Sequence, residues 1–431
     1  MKLSSIALPA SGLAAATIHS DVLRFGTPEQ VDMLPAPLET MVSNLTAFTE
    51  ARNWGAATSG EVLPVEPGGV TLIARHGVVV SHFAFGKRNL WAGVNGTTGV
   101  ELPGSKQEDV TTDTIFDAAS LTKMFTTVVA LRCIDQGLFT LNGTVKTWLP
   151  EFGVNGKENI TVLQLMTHRS GLPSGPNPPL HMLPTYEDRI QAILEQELHN
   201  EPDEAYLYSD MSYMTLMMLI EKVTGRKLDD VMAEVTDLME MTATYYNRGN
   251  LEGPGSGERY ARTAATEFQL VVVGDSAPER PQPVRGTVHD EQAWSLAGVS
   301  GHAGIFTTAL DVARLCHMLL SNGTYNGRRV LSQESIDAIF TDWYGDGRGA
   351  GFELDQEYTA GPMANPRAAS HTGFTGTSLV ADRESGTLFV HLAHRVHPSR
   401  EWSSNNIVRR TVGGWVATAL GRDVQFPVYP W

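Results

Sequence analysis

Residues 120–137 read SLTKMFTTVVALRCIDQG. Leu121, Met124, Phe125, Val128, Val129, Leu131 and Ile134 recur at three- and four-residue intervals, the spacing of a helix that buries one face. Gly137 supplies the residue type that ends such a helix in a left-handed cap. At the head of this apolar run stand Ser120 and Lys123, one turn apart and therefore on one face. A lysine at the start of a buried helix needs a partner, because an isolated buried ammonium is costly.

Moving outward, the chain before this helix carries strands and the chain after it carries mostly helices. A helix is expected over 38–52. The run from Val70 to Gly86 reads as two strands turning at His76-Gly77, and residues 89–113 read as a polar, Gly-rich loop. Downstream, Thr161–His168 and residues 186–199, 211–224 and 228–239 have helical patterns. Residues 250–290 read as a long Gly/Pro-rich loop able to hold a short hairpin. Thr308-Ala-Leu-Asp311 resembles a capping box for another helix. Strands return at Thr377–Ala381 and Gly386–Ala393, and a last helix is expected over 405–420. Strands at both ends with helices between them give the fold class α+β: an antiparallel β-sheet built from the N- and C-terminal segments, flanked by helices, with an inserted, mostly helical subdomain.

Three short motifs carry chemistry. In Ser120-Leu-Thr-Lys123, a serine hydroxyl becomes a useful nucleophile only when a neighbouring base takes its proton, and Lys123 is placed to do so. The helix start also aims the Ser120 N–H at an oxyanion. Tyr208-Ser-Asp210 brings a phenol that relays a proton, or acts as base when ionised; Asp210, a pure acceptor, pairs with Lys123 and shifts the base role towards Tyr208. In His371-Thr-Gly373-Phe374, Gly373 permits close approach of a strand and the Phe374 N–H is a second oxyanion donor.

The order S-x-x-K, Y-x-D, H-T-G, with Tyr208 lying 88 positions after Ser120, resembles the serine β-lactamase/penicillin-binding-protein superfamily, near class C β-lactamases and family VIII esterases. Leu165–Leu172, Val288–Glu291, Gly298–Ile305, His371–Ser378 and His394–Pro398 look like connecting segments of the same family, so the likeness covers about residues 25–420. It implies one catalytic unit over 21–431, with a sheet lobe at about 38–118 and 295–425, a helical lobe at about 119–294 and the site between them. It departs at Asp210, where the family usually has asparagine, and at His371, which removes a permanent cation suited to a β-lactam carboxylate. The resemblance therefore implies a serine hydrolase acting through a Ser120 acyl-enzyme on esters or small amides. Acyl transfer and D-amino-acid peptidase activity are the alternatives, and a catalytically silent binding protein is the rival from another class.

Net charge is −16, which argues against nucleic acid as a partner. No cofactor or metal is expected: His168 and His302 lack metal-ligand spacing, and His289-Asp-Glu291 reads as a solvated polar loop. Trp91, Trp294 and Trp343 read as packed rather than pocket-lining residues. Cys133 and Cys316 read as buried free thiols. No window is long and apolar enough for a membrane span. Residues 1–20 resemble a weak signal peptide, and sequons at Asn44, Asn95, Asn142, Asn159 and Asn322 fit a secreted glycoprotein; an uncleaved N-terminus would instead mean a cytoplasmic enzyme. Oligomeric state is open.

Overall fold

The structure is a computed structural model that describes residues 21–54, 62–95, 98–251, 257–269 and 280–425. The signal-peptide reading of residues 1–20 lies outside them.

The main sheet follows the order Arg24–Phe25, Val78–Asn89, Gly68–Arg75, Thr387–Ala393, Ser378–Asp382, Ala368–Thr372, Glu353–Leu354. Every pairing on this path is antiparallel except the first. The N- and C-terminal parts of the chain meet at its centre, where Leu72 faces Val390 and Ile73 faces Phe389. His76 and Gly77 make the expected hairpin turn, both with positive φ (49° and 80°), the handedness that suits strand twist.

Both faces of the sheet are covered, which is why its central strands read as nearly continuous apolar runs. Ile73, Val380 and Phe389 pack into one core with the helices Pro35–Ala47 and Asn406–Ala419. Their neighbours Leu72, Leu379, Leu388 and Val390 point the other way, into a larger core. That core contains the helices Thr122–Asp135, Asp210–Thr224 and Ala309–Leu320.

Most expected helices occur with shifted ends. The first begins at Pro35, a residue suited to the first helical turn, and ends at Ala47 rather than 52. Thr161 caps Val162–Met166 through Gln164, and Thr308 caps Ala309–Leu320. The stretch 89–113 is not the loop that its polarity predicts: Trp91–Asn95 pairs with Thr98–Glu101, and Glu108–Asp109 adds to Val78–Asn89. These strands are largely exposed and lack an apolar alternation, so periodicity could not reveal them. In 250–290 the described residues hold a short helix, Glu258–Arg262. Cys133 and Cys316 are buried and free. Among the described residues no helix is long and apolar enough to cross a membrane.

A separate three-stranded sheet, Phe116–Asp117, Ile305–Thr307 and Tyr245–Tyr246, delivers the chain to Ser120. The Ala118 N–H donates to the Ile305 carbonyl at 2.9 Å, and a 3-10 turn, Ala119–Leu121, then leads into the buried helix Thr122–Asp135.

Candidate active site

Ser120 sits in the 3-10 turn, two residues ahead of the long helix, and lines two pockets at once. Lys123 is fully buried, with its Nζ 3.1 Å from the Ser120 Oγ. The same ammonium reaches the His302 carbonyl at 3.3 Å and an Asp210 carboxylate oxygen at 2.7 Å. It also lies 4.7 Å from the centre of the Tyr208 ring. Tyr208 and Ser120 line the same pocket. Residues from three distant parts of the sequence thus converge on the Lys123 nitrogen.

Burial, and then the Asp210 carboxylate, push the Tyr208 phenol well above its ordinary range. Of the two roles the sequence offers it, relay and ionised base, this favours the relay. A phenol so disposed is poor as an ionised base and good as a hydrogen-bond donor or proton relay. Asp210 opens the helix Asp210–Thr224, whose cap is the Ser209 side chain accepting from the Ser212 N–H at 3.1 Å. That turn aims the carboxylate at Lys123.

His168 builds the platform for Tyr208. Its Nδ1 accepts the Ser209 N–H at 3.0 Å, and its ring lies 4.5 Å from the Tyr208 ring. Burial and the nearby Lys123 hold it well below its ordinary pKa, so it is neutral with its proton on Nε2. Nothing in its sequence spacing announced this.

On the other side of Ser120 runs the strand Ala368–Thr372. A Cβ on Gly373 would lie 2.0 Å from the Thr377 Oγ1 and 2.5 Å from the Ala118 carbonyl oxygen, so only glycine fits against the serine turn. His371 is buried, and burial holds its imidazole down to about 4. It is therefore neutral near pH 7 and carries no fixed charge.

The larger pocket, about 390 Å³, contains residues that sequence reasoning missed. Arg395 and Arg409 line it, and among the described residues neither is paired with a carboxylate. The Arg409 Nη2 donates to the Gly373 and Thr377 carbonyls at 2.9 and 3.1 Å, while its buried Nε has no partner. The Arg395 Nε donates to the Phe374 carbonyl at 3.0 Å. Opposite them, Arg348 and Glu353 form an ion pair at 2.7 Å, and the Tyr358 hydroxyl donates to Glu353. Arg409 is followed by Arg410 in the last helix, so nothing in the sequence signals that one of the two is buried.

The smaller pocket, about 140 Å³, is bordered by His289, Asp290, Glu291, Phe374 and Arg400. The 289–291 segment is not the solvated loop expected from its charges. His289 is buried against Glu267 at 2.9 Å, and Arg400 bridges Glu267 and Glu291 at 2.6 Å each. The His302 ring is held between Ser300 and Asp290, and its carbonyl, not its imidazole, meets Lys123. Asp210, Asp290 and His302 bring three ligand-type atoms within 4.8 Å of one another. The Lys123 ammonium is already paired with the first of these carboxylates and His302 with the second. Trp91 packs on Trp402, and neither pocket at Ser120 contains a tryptophan.

The chain matches the β-lactamase family model over residues 63–413. It belongs to that family of serine hydrolases. It is 30% identical over 342 residues to the N-acetylmuramyl-L-alanine amidase of Bacillus subtilis, covering 73% of this chain and 74% of that protein. Among solved structures it is similar to EstCE1, described as a hydrolase with promiscuous acyltransferase activity (TM-score 0.64, 21% identity, 88% of this chain and 99% of that one). A family VIII carboxylesterase is similarly close in fold (TM-score 0.63, 20% identity, 88% and 96% covered). The family and fold read from the three motifs are therefore borne out.

Of the five sequon asparagines, Asn44 is buried in the first helix. Asn95, Asn142, Asn159 and Asn322 are exposed.

Proposed function

We propose that this chain is a serine hydrolase that forms an acyl-enzyme at Ser120 and acts on esters or small amides. The observation that carries the reading is the buried Lys123 Nζ 3.1 Å from the Ser120 Oγ, with the Tyr208 ring centre 4.7 Å from the same nitrogen. The Oγ attacks the substrate carbonyl carbon while Lys123, as the neutral amine, takes the hydroxyl proton. Asp210 is the counter-ion of the resulting ammonium. The new oxyanion is received by the Ser120 and Phe374 N–H groups. As the bond to the leaving oxygen or nitrogen breaks, the Tyr208 hydroxyl gives its proton to that atom and takes one from the Lys123 ammonium, which returns to the amine. Water then repeats the steps in reverse and frees the acid; an alcohol or amine in its place gives acyl transfer.

Arg395 and Arg409 favour a substrate with a carboxylate near the scissile bond. Two guanidiniums, Arg409 buried and Arg395 partly buried, have no carboxylate partner among the described residues and leave positive charge for a ligand to neutralise. Sequence reasoning read the loss of lysine at 371 as the loss of this charge; the arginines restore it from elsewhere in the chain. We also infer a secretory route, with cleavage near residue 20 and glycans on the exposed sequons.

A fluorophosphonate probe followed by intact mass is the direct test. One adduct per chain is expected, and none in Ser120→Ala. If neither labelling nor turnover of p-nitrophenyl acetate occurs, the silent binding protein is the better reading.

A further inference from the structure

Asp117 lies three residues before the nucleophile and takes no part in the proton transfers above. Its side chain is buried, with 2% of the residue exposed. One carboxylate oxygen accepts the Ala119 N–H at 2.8 Å, and the other accepts the His289 N–H at 2.6 Å. The first bond closes a tight turn between a carboxylate and the amide two residues on. Within that turn Ala119 is held at φ 48°, a left-handed conformation that a residue with a Cβ adopts reluctantly. The peptide that follows presents the Ser120 N–H.

The same residues are tied to the second oxyanion segment. The Thr375 hydroxyl donates to the Asp117 carbonyl at 2.8 Å, and the Thr377 hydroxyl donates to the Ala118 carbonyl at 2.9 Å. The His289 ring stacks on Phe374 at 5.8 Å. Asp117 therefore joins three separate segments: the serine turn, the 289–291 strap, and the turn that carries the Phe374 N–H.

We propose that Asp117 is the positioning residue of the oxyanion hole: its two carboxylate oxygens fix the conformation of Ala119 and the place of the 289–291 strap, and so fix the separation of the Ser120 and Phe374 N–H groups. The catalytic part of this inference rests on the acyl-enzyme reading. An isosteric asparagine cannot replace it, because an amide has one acceptor oxygen and would turn an N–H₂ towards the other backbone donor.

The test compares Asp117→Asn, Ala119→Gly and the double variant. Fluorophosphonate titration counts competent serines, and ester turnover is expressed per labelled site. Asp117→Asn is expected to lower kcat per labelled site by about 10²-fold, the usual scale for a lost oxyanion contact, with KM within threefold. Glycine enters the left-handed region freely, so adding Ala119→Gly should restore at least tenfold. Hydrogen exchange on peptides covering 116–121 and 287–291 should rise in Asp117→Asn, and the added glycine should leave the second peptide open. An unchanged kcat per labelled site, with only thermal stability lowered, overturns the positioning role. Unchanged exchange in both peptides overturns the clamp whether or not the chain is an enzyme. A wild-type chain that is neither labelled nor active defeats the acyl-enzyme reading, and with it the catalytic role, but not the clamp.

Discussion

Acidification should destabilise this protein before most of its carboxylates titrate, because several histidines are locked in the neutral form. His397 shows why. Its Nδ1 pairs with the Thr266 carbonyl at 2.7 Å, so the proton is there, and its Nε2 accepts the Leu90 and Trp91 N–H groups at 3.2 Å each. Burial opposes a charge at this position, and a second proton would point at two donors; the imidazole is held down to about 4. His371 is likewise held to about 4, chiefly by burial. The sign follows from the unfolded chain, where both titrate near 6.5. Above pH 6.5 neither state binds the protons and the histidines cost nothing. As pH falls from 6.5 to 4 the unfolded state binds them and the folded state does not, so stability declines. At pH 5 the gap to 6.5 is 1.5 pH units at about 1.4 kcal/mol each, or about 2 kcal/mol per histidine and about 4 kcal/mol for the two. His168 and His394, both depressed well below their ordinary value, act in the same direction. Urea unfolding at pH 8 and pH 5 measures the difference. A loss below about 1 kcal/mol would refute the reasoning, as would an equal loss in His397→Gln.

Tyr208→Phe should lower kcat for p-nitrophenyl acetate by about 10²–10⁴-fold while leaving the structure intact by circular dichroism, since only a proton relay is removed. Gly373→Ala places a carbon 2.5 Å from the Ala118 carbonyl oxygen, so the strand must retreat from the serine turn. We expect kcat to fall at least 10²-fold, with about 1–3 kcal/mol of stability lost by denaturant titration. For paired ester substrates that differ only in a free carboxylate beside the leaving group, kcat/KM should favour the acid by about tenfold, the scale of one charge-assisted hydrogen bond. Arg395→Met should erase that preference. In a eukaryotic secretory host, enzymatic deglycosylation should release mass from the exposed sequons, and peptide mapping should find Asn44 unmodified, because its side chain is buried in a helix.

How far the sequence exposed this site depended on whether each residue's role was local. Ser120 and Lys123 were legible because a spacing of three within a helix is itself a statement of proximity. Tyr208 could be placed beside them only through the family order of motifs; no periodicity links positions 88 residues apart. Asp117, His168 and Arg395 stand in stretches that carry no chemical pattern, and their roles come from burial and from backbone groups supplied by other segments. The strap at 289–291 was misread because its charges look solvent-bound until Glu267, Arg400 and Asp117 are brought to it from far along the chain.

The charge of the pocket shows the same limit in a sharper form. Reading position 371 alone, histidine for lysine removes a cation, and the structure agrees that this imidazole is neutral near pH 7. Yet what a substrate meets is the field of the whole cavity, not the residue at one motif position. Arg395 follows the last long strand of the sheet and Arg409 comes from the last helix, and both reach the pocket through the carbonyls of the 373–377 turn. The guanidiniums that carry the charge are therefore the same groups that hold the oxyanion segment in place. A substrate carboxylate that neutralised them would draw on the groups that support the Phe374 N–H, so recognition and rate should change together when either arginine is replaced. If Arg409→Met altered KM alone, with kcat intact, that coupling would not exist and the arginines would be no more than an anchor.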